Sequence, residues 1–208
     1  MIGWHSEGGL WTITIDRPDK ANALTAPMLE QLRDILHAAG EDRDVRAVIL
    51  TGAGDKVFSA GADLDAARAG LATSPLWEEV SGAVAALPCL SIAALNGTVA
   101  GGAFGMVLAC DIRLSVPDAR FFYPVARLGF LPQPSDPGRL AALIGPARTK
   151  LLLLGGQRLA ASEALAFGLV DRIVAPDQLQ AQARQIAADA LAGRPEVLAR
   201  IKQMCPRS

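Results

Sequence analysis

Basic excess, histidine, tyrosine and long apolar runs are what this sequence has least of. Its 208 residues carry 20 Lys and Arg against 21 Asp and Glu, a formal charge of −1. Without a positive surplus there is no electrostatic footprint for nucleic acid or anionic lipid, so neither partner is expected. The two histidines, His5 and His37, stand isolated, no ligand spacing accompanies them, and no metal site is expected. Three cysteines (Cys89, Cys110, Cys205) form an odd set without a C-x-x-C pair. They read as reduced residues of a cytoplasmic protein rather than a disulfide framework. The start, Met1-Ile2-Gly3-Trp4-His5, lacks the basic and apolar regions of a signal peptide. No uncharged apolar run approaches the roughly 18 residues of a membrane span. Two enzyme classes also drop out. No G-x-G-x-x-G follows the first strand, against a dinucleotide site, and no G-x-S-x-G marks a serine hydrolase.

What is present is an apolar, small-residue chain: 51% hydrophobic, with 20 glycines. That composition and length predict one compact α/β domain. Residues 10–16 alternate apolar and polar as a half-buried strand does, and Arg17-Pro18-Asp19-Lys20 ends it. A helix is expected from Thr25, a plausible cap, with Met28, Leu29, Leu32, Ile35 and Leu36 at helical spacing. Val45 to Thr51 reads as a strand covered on both faces. A glycine-rich loop from Gly52 to Gly61 then leads to a helix from Asp63. Leu76 to Leu87 is expected to be helical and Leu90 to Leu95 a strand. Further strands are expected at Ile112 to Ser115 and Leu169 to Val174. A long terminal helix is expected over Asp177 to Met204, with an interruption at Gly193-Pro195.

Two segments share one physical design. Phe58-Ser59-Ala60-Gly61-Ala62-Asp63-Leu64 and Asn96-Gly97-Thr98-Val99-Ala100-Gly101-Gly102-Ala103-Phe104-Gly105 each carry tiny residues into a helix start. Helix N-termini hold unpaired N–H groups and partial positive charge, and small side chains let a ligand reach them. Two such places converging would form an oxyanion hole able to stabilise an enolate. Taken singly, each segment reads more readily as a tight turn or a close helix–strand contact.

Together the segments are specific. Arg17-Pro18-x-Lys20-Ala21-Asn22-Ala23-Leu24, Val45 to Gly52, and Phe58 to Leu64 resemble the crotonase superfamily, the enoyl-CoA hydratase/isomerase family. Ala94-Leu95-Asn96-Gly97 with Gly101-Gly102, Cys110-Asp111, Arg139-Leu140 and Ala164-x-x-x-Gly168-Leu169-Val170 extend the match over residues 5–203. The resemblance implies a ClpP/crotonase-like α/β spiral of ββα units. Residues 1–175 would form the spiral core, and 176–208 a helical tail shorter than is common in the family. It implies an acyl-CoA substrate, no cofactor beyond the coenzyme A of that substrate, and a homo-oligomer, trimeric or hexameric. By motif position the two oxyanion-hole amides belong to Ala62 and Gly102. Lys20, Ala21, Ala23, Ala60, Ala62, Asp63 and Leu64 would line the CoA path.

The resemblance also implies two glutamates that position water and move its protons. Their positions here are Gly105 and Val125, and neither can exchange a proton. A positioned acid or base contributes about 10²–10⁴-fold, so ordinary two-glutamate hydration is not expected. Near the second position, Gln133 can orient a substrate, and Asp136 is ionisable, although Asp-Pro-Gly at a helix start also suits a cap. Tyr123, the single tyrosine, is either a donor or a satisfied core residue. Asp63 is expected to cap its helix, while Asp65, Glu78 and Glu79 fall in a segment that often covers the acyl pocket. Three functional readings stand: enolate chemistry such as double-bond isomerisation, decarboxylation of a malonyl-type thioester, and binding without turnover.

Overall fold

The structure, a computed structural model, describes residues 1–205. An antiparallel hairpin, β1 (Ile2–Glu7) and β2 (Leu10–Ile15), opens the chain. Pro18 to Lys20 form one 3-10 turn, and α1 (Ala26–Glu41) follows. Thr25 holds the N-cap position but its hydroxyl makes no capping bond, so the expected cap is positional only. Met28, Leu29, Leu32 and Leu36 are buried as their spacing requires. Each fully buried side chain of this kind stabilises the fold by about 1.5–3 kcal/mol.

β3 (Ala47–Gly52) is buried at every residue because parallel neighbours flank it and helices cover its faces. The segment expected as one glycine-rich loop contains β4 (Val57–Ser59) before α2 (Leu64–Arg68). Next come α3 (Leu76–Ala86), β5 (Leu90–Leu95), β6 (Thr98–Ala100) and α4 (Phe104–Ala109). A 3-10 turn over Gly101–Ala103 joins β6 to α4, which places Gly105 in the first turn rather than mid-helix. β7 (Ile112–Ser115), β8 (Arg120–Phe122), α5 (Val125–Leu128) and α6 (Asp136–Leu153) follow. α6 breaks at Gly145, whose φ of 80° suits glycine, just before Pro146. The last elements are β9 (Leu159–Ala160), α7 (Ala161–Phe167), β10 (Arg172–Ile173), α8 (Leu179–Ala192) and α9 (Pro195–Met204). The interruption expected at Gly193-Pro195 is present: α8 ends at Ala192 and α9 starts at Pro195, separated by Gly193 and Arg194.

Two sheets organise these elements: a six-stranded one in the order β1-β2-β3-β5-β7-β10, and a four-stranded one in the order β4-β6-β8-β9. Successive ββ pairs send one strand to each sheet, and β3-β5-β7 and β4-β6-β8 run parallel. This is the expected α/β spiral. Leu179, Ala183 and Ala187 of α8 join the main core, so the first tail helix is part of the packed body. Among the described residues no helix is long and apolar enough to cross a membrane.

Candidate active site

The site forms where the spiral brings the start of α2 against the start of α4. Asn22 fixes the first half. It is buried, its Nδ2 donates to the carbonyls of Ala53 and Val57 at 2.9 and 2.7 Å, and its Oδ1 accepts from Arg17 N–H at 2.9 Å. Ser59 Oγ donates to Asn22 O and accepts from Gly61 N–H. Asn96 repeats the device, accepting from Gly52 N–H and donating to Gly54 and Val57 carbonyls. These amides hold β4 and its neighbouring turns where no regular ladder could. Neither was anticipated as a positioning residue, because an Asn beside Gly or Ala reads as a turn and its long-range partners are invisible in sequence.

A parallel bridge then joins Leu24 to Ala62 through Leu24 N–H to Gly61 O and Asp63 N–H to Leu24 O, both at 2.8 Å. That pattern leaves the Ala62 N–H outside the bridge. Gly102 is the second residue of its 3-10 turn, whose first N–H groups have no acceptor within the turn. The two turns touch. A Cβ built on Gly61, at φ 85°, would lie 2.8 Å from Ala100 O and 3.3 Å from Gly102 N. Ala62 and Gly102 line one cavity of about 190 Å³ together with Ala60, Leu64, Trp77 and Ala100. Tyr123, Val125 and Gln133 complete its far wall. Leu64, Leu128, Phe130 and Leu131 also line it while 76%, 56%, 39% and 86% exposed, which gives the cavity an apolar mouth. An uncovered apolar rim of this kind marks a place where a ligand or partner is received.

Trp77, unforeseen from sequence, shapes the interior. Its indole N–H donates to Leu71 O at 2.8 Å, and its ring lies 2.8–2.9 Å from where a Cβ on Gly102 would sit. Only glycine fits between that ring and the backbone.

The remaining sequence-derived residues separate into groups. Asp63 caps α2 as expected, accepting from Asp65 and Ala66 N–H, and also pairs with Arg17 at 2.8 Å. The Ala66 amide first, and Arg17 next, hold its carboxyl below the usual range. Ala21 and Ala23 contribute carbonyls to Ala60 N–H and Arg17 Nη1, and Lys20 is exposed on the 3-10 turn. Asp65 pairs with Arg68, and Glu79 with Arg33, both away from the cavity wall. Glu78 binds Ser135 through both its N–H and its hydroxyl. His5 and His37 are exposed, and no group among the described residues is arranged to hold a metal ion.

Asp136 departs from the expected cap. Ser135 occupies the N-cap position, and the Asp136 side chain turns inward, fully buried. Its Oδ2 accepts from Tyr123 Oη–H at 2.9 Å, and its Oδ1 has no partner among the described residues. Burial pushes its carboxyl up to about 7, with the Tyr123 hydrogen bond and Arg139 opposing. Asp136 does not itself line the cavity; Tyr123, in front of it, does.

The spiral of ββα units and the paired turns define a crotonase-type fold. The model of the enoyl-CoA hydratase/isomerase family matches residues 5–207, and this chain belongs to that family. It is similar to a short-chain-enoyl-CoA hydratase from Clostridium acetobutylicum, 35% identical over 98% of this chain and 80% of the relative. It is also similar to a carnitinyl-CoA dehydratase of Escherichia coli, 36% identical over 95% and 77% respectively. The crystal structure of an enoyl-CoA hydratase from Bacillus anthracis superposes with a TM-score of 0.91 at 34% identity, covering 97% of this chain and 81% of that one.

Proposed function

We propose that this chain binds an acyl-CoA thioester and stabilises its enolate between the backbone amides of Ala62 and Gly102. The supporting observation is the contact between the two turns, which puts both residues on one small, largely apolar cavity. Preorganised donors in such a place contribute about 10²–10³-fold each to reactions that build charge on oxygen. Ala60 and Leu64 line the cavity and Ala60 N–H is bonded to Ala21 O, so the backbone of Lys20, Ala21, Ala23, Ala60, Asp63 and Leu64 suits the CoA portion. Asp63 spends its carboxylate on the cap and Arg17 and its N–H on Leu24 O, so its part is to fix the start of α2 beside the cavity. Gln133, on the cavity wall, orients the acyl group.

The reaction is not hydration by two glutamates, because Gly105 and Val125 stand at those positions. Enolate-forming isomerisation fits best. Decarboxylation of a malonyl-type thioester is the second reading, favoured by the aliphatic Val125 wall: loss of CO₂ generates the enolate without a base.

The test is carbonyl polarisation. Butyryl-CoA labelled with ¹³C at the thioester carbonyl should bind and show a downfield carbonyl shift, with a lowered stretching frequency. Saturable binding with an unshifted carbonyl would contradict the proposed role of the two amides.

A further inference from the structure

We propose that Tyr123 exchanges the proton at the carbon next to the thioester carbonyl, with Asp136 behind it as the positioning residue that takes up and returns that proton. The inference rests on the acyl-CoA reading above.

Three observations carry it. The first concerns Gly105: a Cβ built there would lie 3.2 Å from Asp136 Oδ1 and 3.6 Å from Oδ2. The space in front of α4 that a side chain at 105 would use is thus filled by a carboxylate delivered from the start of α6. The second is that this carboxylate, although it stands in the first turn of α6, is fully buried and only half paired. It caps nothing, one oxygen is without a partner among the described residues, and the nearest cation on its own helix, Arg139, donates Nη1 to Ser81 Oγ at 2.9 Å. A buried carboxylate left in that condition is costly, and such groups concentrate at functional sites. The third is its connection to the cavity. Tyr123 and Gln133 both line it; the Tyr123 hydroxyl binds Asp136 Oδ2 and accepts the N–H of Gln133 at 3.4 Å, and the Tyr123 ring is held by stacking on buried Phe104.

The charged and titratable groups around Asp136 are few. Tyr123 meets it across the hydrogen bond, Arg139 lies on its own helix, and Glu78 of α3 is engaged by Ser135. α4 carries no charged or titratable side chain and meets Asp136 at Gly105. Burial holds the carboxyl up to about 7, while burial and the adjacent Asp136 charge raise the phenol far above its usual range. Tyr123 therefore does not ionise alone. In the forward step the α-C–H bond breaks and its proton joins Tyr123 Oη. The phenolic proton passes to Asp136 Oδ2, and the electron pair moves into the enolate held by the Ala62 and Gly102 amides. The reverse step returns a proton to carbon and regenerates the carboxylate. A carboxyl titrating near neutrality suits both directions.

The experiment is α-proton exchange of butyryl-CoA in D₂O, followed by NMR from pH 5 to 9, beside the carbonyl-shift measurement on the same samples. The wild-type rate should rise with pH and level off above about 7. Tyr123→Phe and Asp136→Asn should each lower it about 10²–10⁴-fold. The Asn variant should lose the inflection, and both should keep the thioester affinity and carbonyl shift. A purely structural pair would leave rate and inflection unchanged. Wild-type rates and pH profile in both variants overturn the proposal. A polarised carbonyl with no exchange in the wild type overturns it alone, whereas failure to bind or polarise removes the acyl-CoA reading with it.

Discussion

The carboxylate of Asp136 stands against the Cα of Gly105, with Oδ1 3.2 Å from the position a Cβ would take. Two residues 31 positions apart in sequence therefore share one volume, and neither can be changed without regard to the other.

That sharing predicts coupled energetics. Gly105→Ala alone should destabilise the protein by about 1–2 kcal/mol, because the methyl presses on Asp136 and on Ser81 Cβ at 3.3 Å. In an Asp136→Ala background the same change should cost clearly less, since the Ser81 contact alone remains and alanine is the better helix former by up to about 1 kcal/mol. Urea unfolding of the four proteins checks the cycle; additive effects would contradict shared space.

Asp136 also predicts a pH dependence of stability. Its folded-state value of about 7 lies above the ordinary 3.8. The folded protein therefore binds a proton that the unfolded chain has released, and stability falls as pH rises from about 4 to 7, then stays level. The fall amounts to a few kcal/mol at most. Asp136→Asn should flatten this part of the curve, as followed by thermal unfolding across pH.

Trp77 and Gly102 yield a third expectation. An alanine at 102 would place its methyl 2.8 Å from the indole. Gly102→Ala should lose about 1–3 kcal/mol of stability as the ring is displaced. Because that ring lines the cavity, acyl-CoA affinity should fall as well, measurable by calorimetry. Gly102→Ala combined with Trp77→Leu should recover part of the stability.

Asn22 provides the fourth. Replacing it with alanine removes bonds to Ala53 O, Val57 O and Arg17 N–H, and places a Cβ residue without side-chain compensation at φ 52°. The expected cost is about 2–4 kcal/mol. Asn22→Gly relieves the backbone part and should be milder in chemical denaturation.

Most of the larger sheet was legible in sequence because its strands have pattern or length, although β10, only Arg172–Ile173, is shorter than the strand expected at Leu169 to Val174. Residues 10–16 alternate, and β3 and β5 are mostly apolar runs, closed at Gly52 and by Asn96. The smaller sheet was not. β4, β6 and β8 have three residues each and β9 two, too short for any period, and they are set by neighbours and by Asn22 and Asn96. At the site, small residues at helix starts pointed to the two segments, the family resemblance placed the amides at Ala62 and Gly102 within them, and Asp63 followed from its cap position. Asp136 was legible only as an ionisable residue near a helix start. Its burial, its bond to Tyr123 and its seat against Gly105 depend on three elements meeting in space, which local sequence does not encode. Trp77 was missed for the same reason.

The grip of the Ala62 and Gly102 amides on one thioester oxygen is best seen in a crystal structure with butyryl-CoA bound. The carbonyl oxygen should then lie about 2.7–3.1 Å from both nitrogens, with the α-carbon facing Tyr123. A carbonyl that meets neither amide, or an acyl chain seated outside this cavity, would contradict it.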